Sequence, residues 1–332
     1  MDINAPDFGT AYQPANQNPT LASNPTPAAT ALVTNFLRPY RGFGAINYTI
    51  PYGFNSFHSL QLSFSRRFKN GISFGLNDTI TLSQTASIAP RLQHDANGNW
   101  SIRADQDQAT ELLQDNRGAR HIIKGNFVWD LPDLPKGNTA QDIIGYVLND
   151  WQLSGVLTAD TGSPYSLGFS YTGLGNVNLT GSPNYGARVV LVGDPGDGCS
   201  SDPTRQFNVA SVAGPAVNSV GLESSNNYLI GCANKLVDFA IARNVRLHGN
   251  RQIQLRVDIF NAFNTTIFTG RNTTINFPSL SQNAATQASN LVYDPNTGAL
   301  LPGRDIPRTA GFGAVNNSNN GRSVQFQVRF QF

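Results

Sequence analysis

Apolar and polar residues alternate with period two in several stretches of this chain, most clearly at the C-terminus. In RSVQFQVRFQF, residues 322–332, Val324, Phe326, Val328, Phe330 and Phe332 alternate with Ser323, Gln325, Gln327, Arg329 and Gln331. That repeat places one set of side chains on each face of an extended strand. Residues 251–262 repeat it, with Ile253, Leu255, Val257 and Ile259 on one face and Gln252, Gln254, Arg256 and Asp258 on the other. Residues 236–247 precede that run with Val237, Phe239 and Ile241 in register, joined through His248-Gly249-Asn250. Residues 57–68 set Leu60, Leu62 and Phe64 against Gln61, Ser63 and Ser65. They turn at Lys69-Asn70-Gly71 into a run over 72–86 carrying Ile72, Phe74 and Leu76. Asn-Gly between two such runs is a hairpin signal. Runs at 120–130 (Ile123, Phe127, Trp129) and 150–161 (Trp151, Leu153, Leu157) follow, and residues 44–50 make an eighth. Asp78 interrupts the apolar face of the 72–86 run.

The connections divide by length. Short joins at 69–71, 131–149 and 248–250 fall at one end of the expected sheet, and long loops at 87–119, 162–235 and 263–321 fall at the other. Compact soluble domains rarely hold loops beyond about 12–15 residues. Short turns at one rim and long loops at the other mark an outer-membrane barrel, and strands of this length suit a tilted span. The polarity of the two faces fits a membrane barrel as well. The polar face carries Arg256, Asp258, Gln325, Gln327 and Arg329. Facing lipid, those charges would be unpaid-for, whereas a wet lumen accepts them. Trp129, Trp151, Tyr146 and Tyr165 near strand ends suit interfacial girdles. The expected fold is therefore all-β: an antiparallel transmembrane β-barrel segment of about eight strands over 43–332, preceded by an irregular Pro/Asn-rich lead-in at 1–42.

Composition agrees. Charged residues are 13% of the 332 residues, against about 25% in an ordinary soluble domain. The 23 basic and 21 acidic residues give a net charge of +2, which makes no electrostatic case for nucleic acid. No apolar run approaches the ~20 residues of a spanning helix. The first forty residues carry no basic and apolar leader pattern, so no signal peptide is expected.

Five motifs in order resemble the C-terminal barrel of TonB-dependent outer-membrane receptors, and most closely the Oar-like, carboxypeptidase-regulatory-domain type. They are NFLRPYRGFGAI (35–46), SFHSLQLSFSRRFKNGISFG (56–75), LNDWQLSGVLTADTGSPYSL (148–167), DFAIARNVRLHGNRQIQLRVDIFNAFNTTIF (238–268) and RSVQFQVRFQF (322–332). The resemblance implies a 22-stranded barrel plugged by an N-terminal domain and energised through a TonB box, importing a bulky solute. This chain then looks like the last third of such a receptor, without plug or TonB box. The implied partners are outer-membrane lipid, the barrel-assembly machinery, the missing plug and remaining strands, and the TonB system. Phe332, with Phe330 and Phe326 in the same strand, matches the aromatic-ended assembly signal of that family. Arg256, Asp258, Gln325, Gln327 and Arg329 would line the lumen, either toward plug and solute or as structural ion pairs in the wall. The rival readings are a soluble β-sandwich adhesin or carbohydrate-binding module and a self-closed eight-stranded barrel.

Catalytic signals are thin, and the expectation is a non-enzyme without a cofactor. His58, His94, His121 and His248 lie on separate segments without metal-ligand spacing, and no Gly-x-Ser-x-Gly is present. Gly173-Leu174-Gly175 reads as a loop. The run Gly193 to Gly198, with Asp194 and Asp197, reads as an acidic turn or a Ca²⁺ loop. Asp105, Asp107, Glu111 and Asp115, among Arg103, Arg117 and Arg120, form a binding loop or a solvated one. Cys199 and Cys232, 33 residues apart, either pair as a disulfide in an oxidising space or stand as two free thiols.

Overall fold

The computed structural model describes residues 2–49, 55–87, 92–94, 100–102, 113–115, 118–134, 137, 139–247, 251–319 and 321–332. Seven long strands form one antiparallel sheet in chain order: β1 (Asn55–Lys69), β2 (Ile72–Ser87), β3 (His121–Asp130), β4 (Trp151–Asp160), β5 (Asn234–Arg246), β6 (Gln252–Phe260) and β7 (Ser323–Gln331). Each neighbouring pair is antiparallel, and a short strand Leu113–Asp115 adds to the far end of β2. β1 and β7 are the two edges and are not bonded to each other, so the sheet is open.

The β1–β2 turn follows its sequence signal. Asn70 and Gly71 both take positive φ (54° and 78°), the backbone of a tight two-residue hairpin. A Cβ at Gly71 would stand 2.6 Å from the Asp130 carbonyl oxygen, so the neighbouring strand also requires glycine there.

Register brings every apolar run onto one face. One row across the sheet reads Phe64, Leu76, Gly125, Leu157, Val237; a second reads Ile241, Val257, Phe326, with Leu153 and Trp129 on the other side of Ile241. Gly155 sits between Phe127 and Phe239, whose rings meet edge to face 6.1 Å apart over it. Asp78 does belong to this face, between Leu62 and Ile123, and bonds His121 Nδ1 through Oδ2 at 3.1 Å. Among the described residues no large apolar side chain of the seven strands is buried, and Phe326 is 80% exposed.

The hydrophobic core lies elsewhere. Leu167, Tyr171, Leu179, Val189, Phe207, Val212, Leu229, Ile275, Phe277 and Phe312 pack together, and all come from 162–235 and 263–321. The two long loops are thus one folded domain at the long-loop end of the sheet. Strand Thr274–Phe277 pairs in parallel with Gly168–Tyr171, and β6 and β7 continue upward as Ile267–Arg271 paired with Val315–Asn319.

One expectation is corrected here. Residues 44–49 are not a strand. Asp2 bridges Asn47, the Asp2 carboxylate accepts the Ile46 N–H at 2.9 Å, and Asn4 Nδ2 donates to the Gly44 carbonyl at 2.8 Å. The backbone groups that a ladder would need are taken by the lead-in; Ile50 lies outside the described residues. The lead-in itself is irregular, with short turns at Thr10–Tyr12 and Pro14–Asn16 and one helical turn at Thr34–Leu37. It is nonetheless packed into the loop domain: Gly9 and Ala11 donate to the Thr180 and Gly181 carbonyls at 2.8 Å, and Phe8 stacks on Tyr185 at 5.0 Å.

Candidate functional site

The polar face of the sheet gathers the expected lumen residues. Arg256 lies between Ala242 and Gln327, Asp258 between Ala240 and Gln325, and Gln254 between Asn244 and Arg329. Arg256 and Asp258, two residues apart on one strand, are an ion pair: Nη2 donates to Oδ1 at 2.8 Å, and Nε reaches Oδ1 and Oδ2 at 2.9 and 3.1 Å. Ala240 and Ala242, their register partners on β5, are buried. Gln254 Nε2 donates to Asn244 Oδ1 at 3.1 Å, and Gln252 bonds Gln331. The structure therefore satisfies part of the polar face internally. Gln325, Gln327 and Arg329 lie exposed on the edge strand β7. Phe326 and Phe330 share the opposite, apolar face of that strand, and the Phe330 ring meets the Phe332 ring at 6.1 Å.

The loop domain holds the second candidate surface. Cys199 and Cys232 are joined in a disulfide with their Cα atoms 4.9 Å apart. Buried Gln206 lies beside it. Its Nε2 donates to the Ser200 and Asp202 carbonyls at 2.8 Å, and its Oε1 accepts Arg271 Nε at 3.1 Å. One amide thus ties the disulfide loop to the other long loop. Burial pulls the Arg271 guanidinium below its ordinary value, partly offset by Tyr165, whose ring lies 5.4 Å away. Tyr165 is placed in this domain and not in a membrane girdle: its hydroxyl donates to the Gly198 carbonyl at 2.6 Å, and burial pushes its pKa up to about 12. Tyr171 likewise donates to the Pro215 carbonyl at 2.9 Å and is raised by burial to about 12. Sequence periodicity could not find these residues, because the domain has none.

Several cavities open on this domain, and two of them differ in character. One of about 300 Å³ is apolar at its base, with Phe207, Phe312 and Val292, and polar where Arg205 covers the Tyr293 ring at 3.7 Å. The other, about 430 Å³, is lined by Arg271, Arg308, Asn272, Asn276, Asn316 and Thr274 without a carboxylate. The first has the apolar base with few oriented polar groups usual in ligand sites, and the second suits hydroxyl-rich or anionic groups.

The other candidates separate. Among the described residues no three His, Cys, Asp or Glu side chains come together as a metal site. His58 meets Ser56 and His121 meets Asp78; the side chains of His94 and His248 lie outside the described residues. Asp194 Oδ1 accepts the Gly196 N–H at 2.8 Å, an Asx turn, so the Gly193 to Gly198 run has a structural use for that carboxylate. Gly175 caps the short helix Asn176–Thr180, in keeping with a loop. Of the acidic loop, Asp105, Asp107, Glu111, Arg103 and Arg117 lie outside the described residues, as does the Asp115 side chain.

The sequence profile of a family described as "outer membrane beta barrel domain" matches residues 2–325. No curated protein and no solved structure matches the chain.

Proposed function

The chain belongs to the outer membrane beta barrel domain family, and from that premise we propose that it forms wall and surface domain of a TonB-dependent receptor that imports a bulky solute. Its place is the outer membrane, with the apolar face to lipid and the polar face to the lumen. The observation that carries the transport reading is the pairing of an open wall with a folded loop domain. β1 and β7 both run from the long-loop end toward the short-turn end, so they are parallel to each other. Closing this sheet on itself would require a parallel seam, unlike the antiparallel circles of bacterial barrels. An unpaired edge in lipid costs several kcal/mol per backbone group, so further strands are needed. That argument counts against the self-closed small barrel. The uncovered apolar face counts against the soluble sandwich, because such a face needs a covering sheet.

In this reading the wall is not catalytic. The loop domain meets the solute first, through its cavities, and a plug and the TonB system work beneath it. The test is an immunoblot of outer membranes with antibody against 162–235, together with solute uptake with and without a protonophore. The expected result is a band well above 35.8 kDa and uptake abolished by the protonophore. A 35.8 kDa band with energy-independent permeation would overturn the reading.

A further inference from the structure

The join between β3 and β4 is the long member of the short-turn end, with 20 residues at 131–150 where the β1–β2 join has two and the β5–β6 join five. Outer-membrane barrels keep that end, the periplasmic one, to short turns, so the extra length needs a use. It contains the helix Thr139–Leu148. We propose that this helix is a membrane anchor, lying outside the wall along the headgroup–acyl boundary of the periplasmic phospholipid leaflet.

Two residues of the lipid face fix its position. Arg243 continues the apolar row Val237, Phe239, Ile241 and pairs with Trp151 and Leu255. Its Nη2 donates to the Tyr146 carbonyl and its Nε to the Asn149 carbonyl at 3.4 Å, both at the C-terminal end of the helix. A cation there also suits the negative end of the helix dipole. The guanidinium carbon lies 5.9 Å from the Tyr146 ring and 5.6 Å from the Trp151 ring. Trp151 Nε1 donates to the Val147 carbonyl at 2.9 Å. The last helical turn is therefore held on the lipid side of the wall, not beneath the lumen. Asn149 closes the segment ahead of the helix, its Oδ1 accepting the Leu134 N–H at 2.8 Å.

From that position the helix presents Ile144, Val147 and Leu148, spaced i, i+3, i+4 on one helical face. Each is about half exposed (50%, 55% and 54%), and the Val147 carbonyl in that row is bonded to Trp151, which shares the wall's apolar face with Leu153 two residues on. An apolar stripe continuous with a lipid-facing wall meets the same lipid. Trp151 and Tyr146 are the aromatic types favoured at the interface, and Arg243 can extend toward lipid phosphates. The inference rests on the membrane facing of the sheet and not on transport.

The test uses the intact outer-membrane protein that carries this wall, reconstituted in phospholipid bilayers, with Val147→Cys carrying an environment-sensitive fluorophore and Asn70→Cys, at the exposed hairpin turn, as the reference. The expected result at 147 is blue-shifted emission, lost on adding shallow nitroxide-labelled phospholipid and kept in aqueous iodide, with the reverse at 70. Iodide quenching at 147 equal to that at 70 would overturn the proposal. Arg243→Ala should make position 147 accessible to iodide, whereas Arg246→Ala, which removes the 2.8 Å pair with Asp150, should not. An unchanged signal in Arg243→Ala would overturn the assigned clamp.

Discussion

The sheet and the loop domain use the same residue types by opposite rules. Phe326 in β7 is 80% exposed, while Phe277 and Phe312 in the loop domain are 1% and 0% exposed. The sheet is held by ladder hydrogen bonds and relies on lipid to cover its apolar face. The loop domain, in water, needs what a small soluble domain needs: a packed core, satisfied polar groups and a cross-link. The difference lies in the solvent each region meets. The two regions should accordingly fail under different perturbations.

The largest separation is expected from charge placement in β7. Phe326→Arg puts a charge on the lipid face, costing about 2–4 kcal/mol near the bilayer midplane, and should abolish outer-membrane assembly in cell fractions. Gln327→Arg, on the lumen face one residue away, should assemble normally. Equal loss from both would reverse or erase the assigned facing. Next is Phe312→Ala, which removes a fully buried ring from the loop core at a cost of about 3–5 kcal/mol. Whole-cell proteolysis should then cut within 162–235 while the strands stay protected. Replacing Cys199 and Cys232 together by serine should weaken the same domain by about 2–4 kcal/mol, read as a lower temperature for onset of loop cleavage without change in the heat-modifiable migration of the barrel.

Alkaline pH sharpens the contrast further. Burial raises the Tyr165 and Tyr171 pKa values from 10.0 to about 12. A folded value above the unfolded one means the stabilising contribution is fully present below pH 10 and is lost as pH rises through about 12. The seven strands contain no tyrosine. Loop cleavage should therefore rise across that window, and Tyr171→Phe should remove its share of the pH dependence at the cost of the bond to Pro215. Tyrosinate absorbance alongside proteolysis checks both. The smallest effect is expected of Arg256→Gln, where loss of a partly exposed lumen ion pair should cost about 0–1 kcal/mol in urea unfolding.

What could be read from the chain follows the same division. Strand positions and facing were legible because period two is a local signal that register then propagates: Leu255 faces Val328, and Ile253 faces Phe330, as the alternation requires. Asp78, which interrupts the apolar pattern in the sequence, is a polar residue within the apolar row, paired with His121. Residues 44–50 misled because Ile46, Tyr48 and Ile50 alternate like a strand, while the bonds that occupy the Gly44 carbonyl and the Ile46 N–H come from Asn4 and Asp2, about forty residues away. The loop core was illegible for the same reason on a larger scale. Tyr171 meets Phe277 at 5.3 Å, and Phe207 meets Phe312 at 5.1 Å, pairs about a hundred residues apart with no repeat between them. Of the candidate site, the shared polar face of Arg256, Asp258, Gln325, Gln327 and Arg329 was legible by residue, but the geometry of the Arg256–Asp258 bond, the Gln206–Arg271 link and the cavities depend on side-chain placement that no pattern encodes.

The direction of the two edges also has an arithmetic consequence. Seven strands leave their first and last members pointing the same way, so any complement that completes an all-antiparallel circle must supply an odd count. An odd-numbered complement starts at one surface of the bilayer and finishes at the other. A donor segment grafted to this wall would have to cross the membrane a net once, and a hairpin-based graft, with its even count, would leave a seam of the wrong polarity however well its surfaces matched.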